Sequence, residues 1–232
     1  MKIAVINFSG NVGKSTIARH LLTPRIPKAS LLSVETINAD ESETDALRGK
    51  EFARLQRTLQ LTDSLVVDIG ASNVEELMNL MAKSKGSHTD FDYFIVPAVP
   101  NKKQQNDTAT TCAKLADLGV NPERIKIVFN MLEDGDKVEQ VFNSLEAFLL
   151  VERCASFDVK CKLTVNEVYQ LIKHDGRSIA ELAVDTTDFK AMIAATERRE
   201  EKIALADKLA IKRLAEGVLP ELDACFAALN LK

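Results

Sequence analysis

Glycine and proline are scarce in this chain, with nine Gly and six Pro among 232 residues. Low-complexity stretches and internal repeats are also absent, so we predict compact elements joined by short connections. Hydrophobic residues make up 46 % of the chain and charged residues 28 %, a balance that argues against bulk disorder. This length and composition suit one full α/β domain with an appended helical piece.

An excess of basic residues is missing as well, since the formal net charge is -4. Dedicated nucleic-acid modules usually carry such an excess, so DNA contact would have to come from a local patch. The four cysteines form no C-x-x-C pair, which argues against a zinc site and favours a reducing cytoplasm. No apolar run approaches the ~20 residues that cross a bilayer, so we expect a cytoplasmic protein without an integral membrane segment.

Short apolar runs alternate with helical patterns from residue 1 to about residue 184. The predicted strands are residues 3–6, 31–34, 65–67, 93–96 and 125–129, with a weaker strand between residues 155 and 165. Strongly apolar strands separated by helices are typical of a parallel sheet that is covered on both faces. We therefore predict an α/β fold with a mostly parallel sheet and helices on both faces.

The pattern changes after Thr186, and residues 188–216 are rich in Ala, Glu and Lys and contain no glycine. Gly217 and Pro220 are predicted to break this helix, and an apolar face follows up to Leu229. We predict a domain over residues 1–185 and a C-terminal helical extension over residues 186–232. The extension is expected to form a hairpin or pair of helices that packs on the domain or on a partner.

The strongest chemical signal lies in residues 9–16, Ser-Gly-Asn-Val-Gly-Lys-Ser-Thr, between the first strand and its helix. Gly10 and Gly13 allow backbone N–H groups to turn inward around an anion, and the following helix directs its positive end there. Lys14 is placed to reach β- and γ-phosphate oxygens, Ser15 to ligate Mg²⁺, and Thr16 to lie near the α-phosphate. Phe8 stands where the strict G-x-x-x-x-G-K-[ST] pattern has its first glycine. The segment nevertheless predicts a P-loop NTPase fold that binds a nucleoside triphosphate with Mg²⁺, with an ordinary strand-to-helix turn as the alternative.

Asp68 ends the third predicted strand, as the metal-associated aspartate of P-loop proteins does. Because the carboxyl ends of parallel strands share one edge of the sheet, Asp68 is predicted to hold the Mg²⁺ shell through water. Gly70 allows the backbone to approach the γ-phosphate. A helix cap or a solvated strand end is the alternative interpretation of Asp68.

These segments resemble the ParA/MinD family of deviant Walker ATPases, and within it the StbB plasmid stability proteins and TraL-type proteins of conjugative plasmids. The resemblance rests on residues 7–16, 67–73 and 129–130, and it covers about residues 1–185. It implies ATP or ADP as ligand, slow ATP hydrolysis and an ATP-dependent homodimer. It further implies a role in plasmid stability, segregation or conjugation through a plasmid-encoded DNA-binding partner protein, with plasmid or nucleoid DNA contacted indirectly.

The resemblance also assigns roles beyond the loop. Asn130 stands where the family reads the adenine edge, and its amide suits the base's N6 and N7, although a turn asparagine is the alternative. Glu35 ends the second strand as a further candidate metal ligand. The residue that positions the attacking water would fall at Ile37, so Asp40 is the candidate substitute, and a plain acidic loop is the alternative for it.

The predicted site residues fall into three groups. The predicted nucleotide-binding residues are Ser9, Gly10, Asn11, Val12, Gly13, Lys14, Ser15, Thr16 and Asn130. The predicted catalytic residues are Lys14, Asp68 and Asp40. The predicted metal-associated residues are Ser15, Asp68 through water, and Glu35.

Two departures from the family leave other functions open. Ser9 replaces the signature lysine that reaches across the family's dimer, and Asn11 replaces the glycine that permits close approach in that dimer. Together with Ile37 they leave open a nucleotide-binding regulatory module that does not hydrolyse ATP. A P-loop kinase for a small molecule is a further alternative, for which the sequence shows no evident arginine-bearing lid.

Overall fold

The computed structural model describes residues 1–34 and 49–232, and its six strands within those ranges form one parallel sheet. The strands are β1 Lys2–Val5, β2 Ser30–Ser33, β3 Leu65–Asp68, β4 Tyr93–Ala98, β5 Ile125–Leu132 and β6 Lys162–Thr164. Their order across the sheet is β2-β3-β1-β4-β5-β6. The order reverses direction at β1, and ligands of such sheets bind beyond the carboxyl ends of the strands at this kind of position.

Both faces of the central strands are buried. Consecutive residues such as Val66 and Val67 in β3, and Phe94 and Ile95 in β4, have no exposed surface. Because neighbouring side chains in a strand point to opposite faces, helices must cover the sheet on both sides. The predicted α/β fold with a parallel, doubly covered sheet is confirmed.

Helices follow the strands along the chain. They are α1 Lys14–Thr16, α2 Gly49–Leu61, α3 Ala71–Lys83, α4 Lys102–Asp117, α5 Val138–Val141, α6 Asn143–Glu152, α7 Val168–Leu171, α8 Ile179–Ala183, α9 Phe189–Ala195 and α10 Arg199–Leu229. None of the helices within residues 1–34 and 49–232 combines the length and hydrophobicity that a membrane crossing requires.

The helix that the sequence predicts over about residues 14–22 has these bounds in the structure but is less regular than a single α-helix. The α-helical part is α1, and a π-helical segment, Ile17–Leu22, continues it before a 3₁₀ turn at Thr23–Arg25. Asparagine is a favoured N-cap residue, so the sequence predicts a cap at Asn73, yet Asn73 lies inside α3, which has Gly70 at its N-cap position. The cap falls earlier because β3 passes into the helix through only Ile69 and Gly70.

Two strands extend beyond their predicted ends. Pro97 directly follows the predicted strand 93–96 and is predicted to end it, yet it lies inside β4, opposite Val128 of β5. The pairing of β4 with β1 ends at Ile95. Pro97 lacks an N–H group, but it lies beyond this pairing and so interrupts no residue pair between β4 and β1. Asn130 likewise lies inside β5, where Met131 has a positive φ of 59° and the pairing with β6 shifts register.

The predicted helix break at Gly217 and Pro220 is wrong, because α10 runs through both residues. A proline inside a helix costs about 3 kcal/mol. Val218, Leu222, Cys225 and Leu229 recur at helical spacing and are all buried. Burial of each large side chain in such a stripe contributes roughly 1.5–3 kcal/mol, which offsets the cost of the proline.

Contacts within the chain define two compact units. One comprises Met1–Val165 with Ala224–Lys232, and it contains the whole sheet; the other comprises Asn166–Asp223. The predicted division into a domain over residues 1–185 and a helical extension over residues 186–232 stays a prediction.

Candidate functional site

The loop between β1 and α1 bends through two residues in left-handed backbone conformation, Asn11 with φ 56° and Gly13 with φ 85°. Asparagine adopts this conformation more readily than most residues. At Gly13 a side chain is excluded, because an added Cβ would lie 2.2 Å from Nδ2 of Asn130. Gly10 has no positive φ and no atom near an added Cβ, so the turn depends on Asn11 and Gly13 and not on Gly10.

The side chain of Lys14 folds back into this loop and is only 8 % exposed. Its Nζ donates to the carbonyl oxygen of Ser9 at 2.6 Å and to that of Asn7 at 3.3 Å. The ammonium group therefore lies inside the turn, at the start of α1. A helix N-terminus with an adjacent buried cation attracts a polyanion.

Ser15 and Asp68 meet at the carboxyl edge of the sheet. The Oγ of Ser15 donates to Oδ2 of Asp68 at 2.5 Å. Parallel pairing of β1 with β3 places Val5 opposite Asp68, which brings the end of β3 next to the loop that follows β1. A hydroxyl and a carboxylate are hard oxygen ligands of the kind that Mg²⁺ prefers, so this pair fits that metal.

Asn130 reaches the same loop from β5. Its Nδ2 donates to the carbonyl oxygen of Val12 at 2.9 Å, and both side chains are buried. The amide thus fixes the loop beside Gly13, the residue that would clash with it if it carried a Cβ. The role of Asn130 in reading adenine stays a prediction.

Asn7, which the sequence argument did not assign, joins three elements at the start of the loop and is fully buried. Its Nδ2 donates to the carbonyl oxygen of Pro97 and to Oγ1 of Thr108, both at 2.8 Å. Its Oδ1 accepts from the backbone N–H of Ser9 at 2.7 Å. Each polar atom of this amide has a partner, as a buried amide requires.

Side chains on one face of α4 form hydrogen bonds with consecutive residues of the loop. Thr111 Oγ1 accepts from the N–H of Phe8 at 3.2 Å, and Gln104 Nε2 donates to the carbonyl oxygen of Gly10 at 2.9 Å. Between them, Asp107 Oδ2 accepts from Oγ of Ser9 at 2.5 Å. Lys114 continues the face, with its Nζ 4.7 Å from the centre of the Phe8 ring.

This face was missed because its residues are polar. Positions 104, 107, 108 and 111 recur at the spacing of one helical face, so a pattern of polar residues at i, i+3, i+4 and i+7 was the available signal. A search for apolar periodicity finds Cys112 and Leu115 instead, and both are buried in the core.

His20 lies in the π-helical segment after the loop and is buried. Burial, together with the nearby positive charge of Arg19, lowers its pKa from 6.5 to about 4. The imidazole is therefore neutral at physiological pH.

Of the remaining predicted residues, two lie in the described part of the chain and three fall outside it. Thr16 ends α1 and is half-buried. Gly70 lies at the N-cap of α3, directly after β3. Glu35, Ile37 and Asp40 fall outside the described residues.

Comparison with solved structures identifies a similar fold in McdA of Cyanothece. The apo structure of McdA matches with a TM-score of 0.53 and 13 % sequence identity, over 95 % of this chain and 98 % of McdA. A McdA variant in complex with ATP matches with a TM-score of 0.49 and 14 % identity, over 96 % of each chain. No protein-family model and no curated protein matches the sequence. At this identity the likeness to apo McdA shows the fold, a P-loop NTPase-like α/β architecture.

Proposed function

We propose that this chain binds ATP with Mg²⁺ through residues 9–16 and hydrolyses it slowly. The observation that carries the proposal is the arrangement of Lys14, Ser15 and Asp68. A buried ammonium group, a helix N-terminus and a hydroxyl–carboxylate pair converge at the carboxyl edge of the sheet. Each of the three provides one part of a site for a metal-bound polyphosphate.

In this proposal each side chain has a defined role. Lys14 exchanges the carbonyl oxygens of Ser9 and Asn7 for β- and γ-phosphate oxygens. Ser15 ligates Mg²⁺ and Asp68 holds its shell through water. Asn130 uses one amide N–H for Val12, and its second N–H and its oxygen are the groups proposed to read adenine. Glu35 and Asp40 keep the metal and water-positioning roles proposed from the sequence.

The biological role that we propose is a ParA/MinD-type switch in the cytoplasm. ATP would favour a homodimer that acts on plasmid stability, segregation or conjugation through a plasmid-encoded DNA-binding partner, as StbB and TraL-type proteins imply. The sequence resemblance supports this role, and the shared fold is compatible with it. The net charge of -4 favours indirect contact with plasmid or nucleoid DNA.

One observation favours a second candidate, a module that binds nucleotide without hydrolysis. The Oγ of Ser9 is bonded to Asp107 of the same chain, at the position where the family carries its signature lysine. The side chain here is short and engaged within its own subunit. Residue 9 therefore supplies no positive charge to a nucleotide bound by a partner subunit.

A titration of ATP in the presence of Mg²⁺ tests the proposal, with EDTA and GTP in parallel. We expect saturable binding that favours ATP and weakens without the metal. Single-turnover release of γ-phosphate then separates slow hydrolysis from binding alone. Absence of saturable ATP binding would refute the proposed function, and consumption of ATP only with a small acceptor would favour the kinase alternative.

Light scattering with and without ATP and Mg²⁺, repeated with plasmid DNA, tests the switch. A doubling of mass with ATP supports the homodimer. An unchanged mass at saturating ATP would leave a monomeric nucleotide-binding protein.

A further inference from the structure

We infer that Asp107 is a positioning residue for the phosphate-binding loop, and that it acts through the hydroxyl of Ser9. The inference rests on the proposed function and extends it to α4. In this account the polar face of α4, made by Gln104, Asp107, Thr108 and Thr111, sets the loop conformation that binds nucleotide.

Three side chains from three parts of the fold hold Ser9. Its N–H donates to Asn7 Oδ1 at 2.7 Å, its Oγ donates to Asp107 Oδ2 at 2.5 Å, and its carbonyl oxygen accepts from Lys14 at 2.6 Å. The bond to Asp107 is the one that ties Ser9 directly to α4. Hydrogen bonds to a charged group are stronger than those between neutral groups, so the bonds to Asp107 and from Lys14 restrain Ser9 more than the bond to Asn7.

The position of Ser9 determines the position of Lys14. The ammonium group of Lys14 takes the carbonyl oxygen of Ser9 as its nearer acceptor, at 2.6 Å against 3.3 Å for Asn7. A displacement of Ser9 therefore moves the acceptor that holds the ammonium group inside the turn. Asp107 is in this way coupled to the predicted phosphate ligand Lys14 through one residue.

The helix that carries Asp107, α4, is held in place by its N-cap and by side-chain hydrogen bonds. It has 16 residues, and Asn101 caps its first turn by accepting from the N–H groups of Lys103 and Gln104. Gln105, on a neighbouring face, donates to the carbonyl oxygens of Pro100 and Val141. These bonds fix the start of α4 to the connection that follows β4 and to α5.

The negative charge of Asp107 makes this side chain unsuited to binding an anion directly. A carboxylate close to a polyphosphate repels it, so an electrostatic role predicts tighter ATP binding once the charge is removed. The hydrogen bond to Ser9 predicts the reverse, because a loop released from α4 spends less time in its binding-competent conformation. The two roles thus predict changes of opposite sign.

Four variants of the full chain distinguish these roles: Ser9→Ala, Asp107→Asn, Asp107→Leu and the double variant Ser9→Ala with Asp107→Leu. We expect Ser9→Ala and Asp107→Leu each to weaken ATP–Mg²⁺ affinity about tenfold, and the double variant to be no weaker than either. Asp107→Asn keeps an acceptor for the hydroxyl, so its affinity should stay within about twofold of wild type.

Thr111→Val and Thr110→Val form a matched pair on the same helix. Both hydroxyls donate to a carbonyl oxygen four residues earlier, but Thr111 also accepts from the N–H of Phe8, whereas the hydroxyl of Thr110 has its hydrogen bond within α4 in the part of the chain that the structure describes. We expect Thr111→Val to weaken ATP binding and Thr110→Val to leave it unchanged. This pair tests the face of α4 even if a Ser9 or Asp107 variant fails to fold.

Hydrogen–deuterium exchange of residues 7–15 without nucleotide tests the coupling independently of ATP. We expect faster exchange in Ser9→Ala and Asp107→Leu and unchanged exchange in Asp107→Asn. If the wild type binds no ATP, the proposed function fails while this measurement still decides the coupling. Unchanged exchange in Ser9→Ala and Asp107→Leu, or tighter ATP binding in both Asp107 variants, would overturn the inference.

Discussion

The phosphate-binding loop and the unit formed by Asn166–Asp223 are held in opposite ways. Asn7 and Lys14 bind Ser9 from within the same segment, but the other side chains that bind loop residues 9–15 come from positions 53 to 118 residues away, as for Ser15 with Asp68 and Asn130 with Val12. In the other unit, Ser178 binds Glu181 three residues on, and Arg177 binds Asp175 and Asp185, two and eight residues away. Distant parts of the chain shape the loop, whereas neighbours in sequence shape these turns.

The difference has an energetic consequence. The loop contacts involve buried groups such as Asn7 and Lys14, and loss of one partner there leaves a buried polar group that costs about 1–3 kcal/mol. The ion pairs of Arg177 are partly exposed to water, where such pairs contribute about 0–1 kcal/mol. Substitutions in the loop should therefore have larger effects than substitutions in the local turns.

Lys14→Ala is expected to have the largest effect, on ligand binding. Loss of two charge-assisted hydrogen bonds to phosphate, each worth about 1.5–3 kcal/mol, weakens ATP affinity by roughly a hundredfold or more. Isothermal titration with ATP–Mg²⁺ measures it, with the exposed Lys28→Ala as control. Equal ATP affinity in Lys14→Ala and wild type would defeat the site assignment.

Gly13→Ala should destabilise the protein without nucleotide by about 3 kcal/mol. The change forces an alanine into the left-handed region at φ 85° and drives its Cβ into the amide of Asn130. Denaturant unfolding measures the loss. Gly10→Ala is the matched control, because its Cβ meets no atom within 4 Å, and equal unfolding free energies for the two variants would contradict the loop geometry.

His20 should make stability depend on pH below about 6.5. The folded-state pKa of about 4 lies below the unfolded value of 6.5, so the unfolded chain binds more protons between them. The stabilisation is complete above pH 6.5 and is lost as the pH falls towards 4, by about 2 kcal/mol between pH 6.5 and 5.

Unfolding free energies of wild type and His20→Gln across this range measure that contribution. The slope with pH should flatten in His20→Gln and persist in His174→Gln, which replaces an exposed histidine. Identical slopes in wild type and His20→Gln would show that His20 is not the group responsible.

Ser178→Ala should have the smallest effect, a loss of about 1 kcal/mol. The hydroxyl of Ser178 accepts from the N–H of Glu181, whose carboxylate accepts from the N–H of Ser178 in return. Thermal unfolding measures the change, with the exposed Ser144→Ala as control. If Ser178→Ala lost more stability than Gly13→Ala, the expectation that substitutions in the loop have the larger effects would be contradicted.

The core of the fold was predictable because its signals are local. Apolar runs located the strands near β1, β3 and β4 to within a few residues, and the spacing of Gly13, Lys14 and Ser15 located the loop. Element ends were less predictable, since Pro97, Pro220 and Asn130 lie inside elements that local rules would end. At Pro97, pairing with β5 outweighed the local preference, and at Pro220 the burial of the neighbouring apolar side chains did so.

The sequence by itself determined that a strand, a glycine-containing turn and a helix follow one another at residues 2–16, because neighbouring residues encode each of those steps. Only the tertiary structure decided that Asn7, Asp107 and Asn130 fix this turn. Their hydrogen bonds join residues about a hundred positions apart, and such partners are chosen by the order of the strands in the sheet. No local pattern records that order, since it depends on how the whole chain buries its apolar surface.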